Sequence, residues 1–98
     1  MPQFDVYELK SGALVLDCQA DIFEGIGTRF VVPLIPPGEG PPTNSRLHPQ
    51  FEMNGRALIM MAEFAAAIRT SELRTNVGSL AHEHFRIIGA IDTLTGSG

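Results

Sequence analysis

The sequence predicts a mainly β protein, a small antiparallel sheet or barrel with one C-terminal α-helix. Three features carry that expectation. Alternating polar and apolar residues fill much of the first 34 positions, hairpin signals stand at Lys10-Ser11-Gly12 and Asn54-Gly55, and a helical apolar period occurs only near the end.

Gln3 to Leu9 sets Phe4 and Val6 on one side and Asp5, Tyr7 and Leu9 on the other, as a strand does. Lys10-Ser11-Gly12 turns the chain. Leu14 to Phe23 reads as the next strand, with Leu14, Leu16 and Cys18 facing one way and Val15, Asp17 and Gln19 the other. Gly25 and Gly27 are expected to supply the positive-φ positions of a turn. Gly27 to Leu34 then returns as a third strand, in which Phe30 and Val32 oppose Arg29 and Val31 and Pro33 limits the ladder. Three such strands with short turns make a meander, an economical start for a small sheet or barrel.

Residues 35–44 hold four prolines and two glycines, which removes amide donors and adds backbone freedom, so the stretch reads as a surface loop. Asn54-Gly55 accepts positive φ at both positions and should join Leu47–Met53 to Arg56–Met61 as a hairpin. The apolar run Leu58-Ile59-Met60-Met61 suits a strand buried on both faces. Ala62–Ile68 is open to a short helical turn, and Ile68–Leu73 to an edge strand.

At the C-terminus, Ser79 is placed to cap a helix over 79–94 with Glu83 in its first turn. Leu80, His84, Ile87, Ile88, Ile91 and Leu94 form an apolar stripe with Phe85 at its edge. A helix this short is not stable alone, so it should lie against the sheet or against another subunit.

The 98 residues suit one domain, residues 1–98, with a single modest core. Apolar residues at 44% and charged residues at 18% indicate a globular chain. No run approaches the roughly 20 apolar residues of a membrane helix, and the start lacks the pattern of a secretory signal. The one cysteine, Cys18, has no internal disulfide partner, so a cytoplasmic location with no membrane association is expected. The net charge of −4 and the scattering of the seven basic residues argue against direct nucleic-acid binding and favour a protein partner.

Little in the sequence supports catalysis. On a helix His82 and His84 point about 200° apart, so they do not share a metal ion. Cys18 lies mid-strand on the inward face and reads as an inert thiol. Asp17, Asp21 and Glu24 read as solvated turn charges, and His48 precedes a proline with no evident partner. There is no phosphate loop, nucleophile elbow or cysteine pair, and no cofactor or metal is implied.

Three strings carry a resemblance: Gln3-Phe4-Asp5-Val6-Tyr7, Leu16-Asp17-Cys18-Gln19-Ala20-Asp21-Ile22, and Gly27-Thr28-Arg29-Phe30-Val31-Val32-Pro33-Leu34. Together with Met60-Met61, Ser71-Glu72-Leu73 and Ala90-Ile91-Asp92, they resemble the CcdB family in order along nearly the whole chain. These are toxins of plasmid-type toxin–antitoxin modules. The resemblance implies an SH3-like barrel with a C-terminal helix, a homodimer, and a non-catalytic poison of the DNA gyrase A subunit that a cognate antitoxin removes.

On that resemblance the gyrase surface maps onto Ile22 and Phe23 together with Asp92, Thr95, Gly96, Ser97 and Gly98. The resemblance also implies an antitoxin partner, for which the exposed loops Glu8–Gly12 (Glu8, Lys10, Ser11 and Gly12) and Pro41–Arg46, with Arg46 as its charged member, flank plausible grooves. The chain departs from the family at Gly96-Ser97-Gly98, where a gyrase-poisoning member ends in Trp-Gly-Ile, and at Arg69 and Arg74, where members often have proline and glycine. A buried aromatic anchor can dominate an interface. Two alternatives therefore accompany gyrase poisoning: a CcdB-like dimer with lost or redirected toxicity, and an endoribonuclease of the related PemK/MazF type.

Overall fold

A computed structural model describes residues 2–40 and 44–96. The chain forms β1 (Asp5–Leu9), β2 (Leu14–Asp17), β3 (Thr28–Ile35), β4 (Gln50–Met53), β5 (Arg56–Met60), β6 (Ala66–Arg69), β7 (Leu73–Ser79) and the C-terminal helix α1 (His84–Thr95). The sheet runs β4-β5-β3-β2-β1-β7, all neighbours antiparallel, and β6 also pairs with β3. The expected mainly β architecture with a C-terminal helix is what the chain adopts.

Strand β3 organises the sheet. One of its edges pairs with β2 along Val31–Leu34. The other edge is divided between β6, at Thr28–Val31, and β5, at Leu34 and Ile35. Pro33 falls in the gap between these two partners, where its missing N–H leaves no ladder position unfilled, and its carbonyl accepts the Met61 amide at 3.0 Å. Pro33 thus marks a change of partner rather than the end of the strand, which runs on through Ile35.

The link between β6 and β7 forces the sheet to curl. Four strand spacings of about 4.8 Å would put these two strands about 19 Å apart in a flat sheet. They are joined by a single 3-10 turn, Thr70–Glu72, which rises about 2 Å per residue. The sheet therefore bends into a half-barrel. Its concave side gathers Tyr7, Val15 and Val31 with Leu9, Ile68 and Leu73. Its other side carries the larger core, where Val6, Leu16, Val32, Leu58 and Met60 pack with Leu80, Ile87 and Ala90.

Several elements differ from the sequence expectation. Strand β2 stops at Asp17, and Asp21–Phe23 is a 3-10 turn instead of more strand. Gly25 and Gly27 are absent from the positive-φ residues, because that turn, and not glycine, reverses the chain. The expected Asn54-Gly55 hairpin forms, with φ of 53° and 77°, but its first strand begins only at Gln50. Both options at Ala62–Leu73 are realised in part: a 3-10 turn at Ala62–Phe64, then the edge strand β6, which Thr70–Glu72 interrupts. Strand β7, with its polar sequence Leu-Arg-Thr-Asn-Val-Gly-Ser, has no alternating signal and is held by pairing to β1.

Ser79 is not the cap of the helix. A 3-10 turn at Ala81–Glu83 follows Leu80, the Ser79 hydroxyl accepts the Ala81 amide at 3.1 Å, and the helix proper starts only at His84, with Glu83 just ahead of its first turn. Only part of the apolar stripe is buried. Leu80, Ile87 and Ala90 are covered and Ile91 partly so, whereas Ile88, Leu94, Phe85 and His84 face solvent. Among the described residues no helix is long and apolar enough to cross a membrane.

Candidate functional site

The turn Asp21–Phe23 between β2 and β3 displays Ile22, 84% exposed, and Phe23, 52% exposed, with Ile26 exposed beside them. The backbone of this turn has side-chain support on its β3 side. Gln19 supplies it, because its Nε2 donates to the Phe23 carbonyl at 2.9 Å while its Oε1 accepts the Phe30 amide at 3.0 Å. Gln3 holds the other side, donating from Nε2 to the Cys18 carbonyl at 3.0 Å and from its amide to Asp21 Oδ1 at 2.6 Å. The turn is thus pinned by side chains on both flanks.

The second predicted patch lies on α1. Asp92 is partly buried and Thr95 and Gly96 are exposed; Ser97 and Gly98 lie outside the described residues. The helical period puts Phe85, Ile88, Asp92 and Thr95 on one solvent face. Phe85 is 82% exposed there. The helical period put Ile88 in the apolar stripe and Phe85 at its edge, but apolarity alone does not say how wide a sheet-covered stripe is.

The residues assigned to an antitoxin separate into two places. Glu8, Lys10, Ser11 and Gly12 are exposed or nearly so at the β1–β2 turn, where Gly12 adopts a φ of 90°. Lys10 and Ser11 line a cleft of about 720 Å³ with Ser71, Glu72 and Arg74. Arg46 instead lines a cleft of about 290 Å³ against α1, shared with Arg86 and Asp92. Pro41, Pro42 and Thr43 of the predicted loop lie outside the described residues.

Two groups read as plain from the sequence are engaged. Asp17 is not a solvated turn charge. It is fully buried and accepts Nε and Nη2 of the equally buried Arg29 on one oxygen, at 2.9 and 2.6 Å, while its other oxygen accepts the Gln19 amide at 3.1 Å. The alternating pattern that put Asp17 and Arg29 on a face gave no sign that the curl would close over them. His48 also has partners: its Nδ1 accepts the Asn44 amide at 2.9 Å, so Nε2 carries the proton and donates to Glu63 at 2.7 Å.

Inside the curl, Asn76 donates to Asp5 at 2.7 Å. Burial, then the Asp5 and Asp17 carboxylates, push the Tyr7 phenol above its ordinary range, partly offset by Asn76 and Arg29. Burial, with Asp17 adding, pushes the Cys18 thiol up to about 12, which makes it a poor nucleophile.

The fold is a small curled half-barrel with a helix on one side, and a fold by itself does not fix a function. It is similar to a solved structure described as an endoribonuclease from Mycobacterial species, with a TM-score of 0.75 and 15% identity, covering 98% of this chain and 91% of that one. At that identity the likeness is one of fold. No curated protein matches the chain. The family model described as CcdB protein matches residues 3–96, and the chain belongs to the CcdB family, toxins of toxin–antitoxin modules.

Proposed function

We propose that this CcdB-family toxin poisons DNA gyrase by docking on its A subunit, without catalysis of its own, and acts in the cytoplasm as a homodimer. Ile22 and Phe23 form the apolar centre of the docking surface, and Asp92, Thr95, Gly96, Ser97 and Gly98 form its helical part. The observation that supports this reading most is the clamped Asp21–Phe23 turn, which holds two large apolar side chains in solvent. A monomeric protein gains nothing from that exposure, and such anchors concentrate binding energy when a partner covers them. A cognate antitoxin is proposed to engage Glu8, Lys10, Ser11 and Gly12 at the β1–β2 turn and Arg46 at the helix-side cleft.

Induced expression in a gyrase-wild-type bacterium tests the proposal, scored by growth and by covalently trapped gyrase–DNA complex. Arrest with trapped complex is expected. Normal growth with soluble dimeric protein overturns it in favour of a scaffold whose toxicity is lost or redirected.

The likeness of fold to a protein described as an endoribonuclease favours a second reading, cleavage of RNA. Purified protein incubated with a panel of RNA substrates separates the two. Cleavage at defined sequences, with no trapped gyrase, would establish the second reading over the first.

A further inference from the structure

Arg46 and Arg86 line one cleft of about 290 Å³ from segments far apart in the chain, together with Ser45 and with Thr93, whose hydroxyl donates to the Gly89 carbonyl at 2.8 Å. Gly89 leaves its wall open, since a Cβ there would meet nothing within 4 Å. The Arg86 guanidinium is already fixed in place. Its Nη2 donates to the Gln50 carbonyl at 2.9 Å, its Nη1 donates to Glu83 at 3.2 Å, and its Cζ lies 4.8 Å from the Phe51 ring centroid. A guanidinium so held loses little freedom on taking an anion.

Asp92 on the same wall decides which anion fits. A nucleic-acid strand carries a phosphate at every nucleotide and would set one against this carboxylate. A peptide places each acidic side chain next to backbone N–H donors, which Asp92 can accept. We infer that this cleft binds a carboxylate side chain of an acidic peptide, held by Arg46 and Arg86, with Asp92 accepting a neighbouring peptide amide. The inference rests on the antitoxin reading above only for the source of such a peptide.

Fluorescence anisotropy of a fluorescein-labelled peptide of alternating glutamate and glycine, titrated with the purified full chain at low salt, tests the site. The net charge of −4 repels this probe in general, so saturable binding requires a local site. Binding is expected, weakened at least tenfold by Arg46→Ala and by Gly89→Leu, which fills the cleft while both arginines remain. Leucine is a better helix former than glycine, so the second variant folds. Arg56→Ala, which removes an exposed positive charge on the β4–β5 turn, leaves binding within twofold.

No binding by the unaltered chain, an equal loss in Arg56→Ala, or tighter binding of a single-stranded RNA oligonucleotide at the same cleft would overturn the inference. The last would make it a phosphate site. Growth arrest without peptide binding removes this site alone, and peptide binding without arrest removes the gyrase reading alone.

Discussion

Arg29 donates twice to a single oxygen of Asp17, from Nε at 2.9 Å and from Nη2 at 2.6 Å, with both side chains wholly removed from solvent. The other Asp17 oxygen accepts the Gln19 amide, so the ion pair braces the residue that clamps the exposed turn. A buried ion pair of this kind adds little net stability, but breaking it strands a charge. Arg29→Met is expected to cost about 3–5 kcal/mol in chemical denaturation. A loss below about 1 kcal/mol would mean that Asp17 finds water in the variant.

Gln19→Ala removes two hydrogen bonds that hold the Asp21–Phe23 turn. At about 0.5–1.5 kcal/mol each, the expected loss of stability is about 1–3 kcal/mol. If the gyrase proposal holds, trapped complex falls by more than this loss of folded protein explains. Trapping in proportion to folded protein would show that the turn needs no clamp.

Ile22→Arg acts on the opposite kind of residue. With Ile22 84% exposed, stability should change by less than about 0.5 kcal/mol. On the proposed docking surface the same change removes an apolar anchor, an effect of about 2 kcal/mol or more in binding. Intact growth arrest on expression of this variant would count against Ile22 as an anchor.

Ile87 and Ile88 are neighbours in α1 with different fates: Ile87 is wholly buried and Ile88 is 40% exposed. Ile87→Ala should cost about 2–5 kcal/mol, while Ile88→Ala should cost less than about 1 kcal/mol. Thermal unfolding of the two variants measures the contrast, and equal losses would place Ile88 in an interface that forms in solution.

Cys18 links stability to alkaline pH. Burial raises its thiol from 9.0 to about 12, so between those values the unfolded chain loses this proton while the folded chain keeps it. The unfolded state then binds fewer protons, and stability falls as pH rises through that window, by at most about 1.4 kcal/mol per unit from this group. Below pH 9 the contribution is fully present. Cys18→Ala should show a shallower decline from pH 9 upward in urea denaturation, and an unchanged slope would assign the decline to other groups.

Local chemistry was enough to read the meander, the Asn54-Gly55 hairpin and the C-terminal helix, because alternation, turn residues and helical period act over a few neighbours. Ile22 and Phe23 came from the resemblance to the CcdB family, and the structure adds that both side chains stand in solvent. Strand β7 was illegible, since its polar residues owe their strand to pairing with β1. The sheet curls because a three-residue turn must join β6 to β7, and that constraint exists only once both strands have found their partners. The same curl buries Asp17 on Arg29, and the docking of α1 on the sheet selects Ile87 over Ile88 for the core. A side chain's environment depends on which distant segment covers it, and no window of neighbouring residues carries that information.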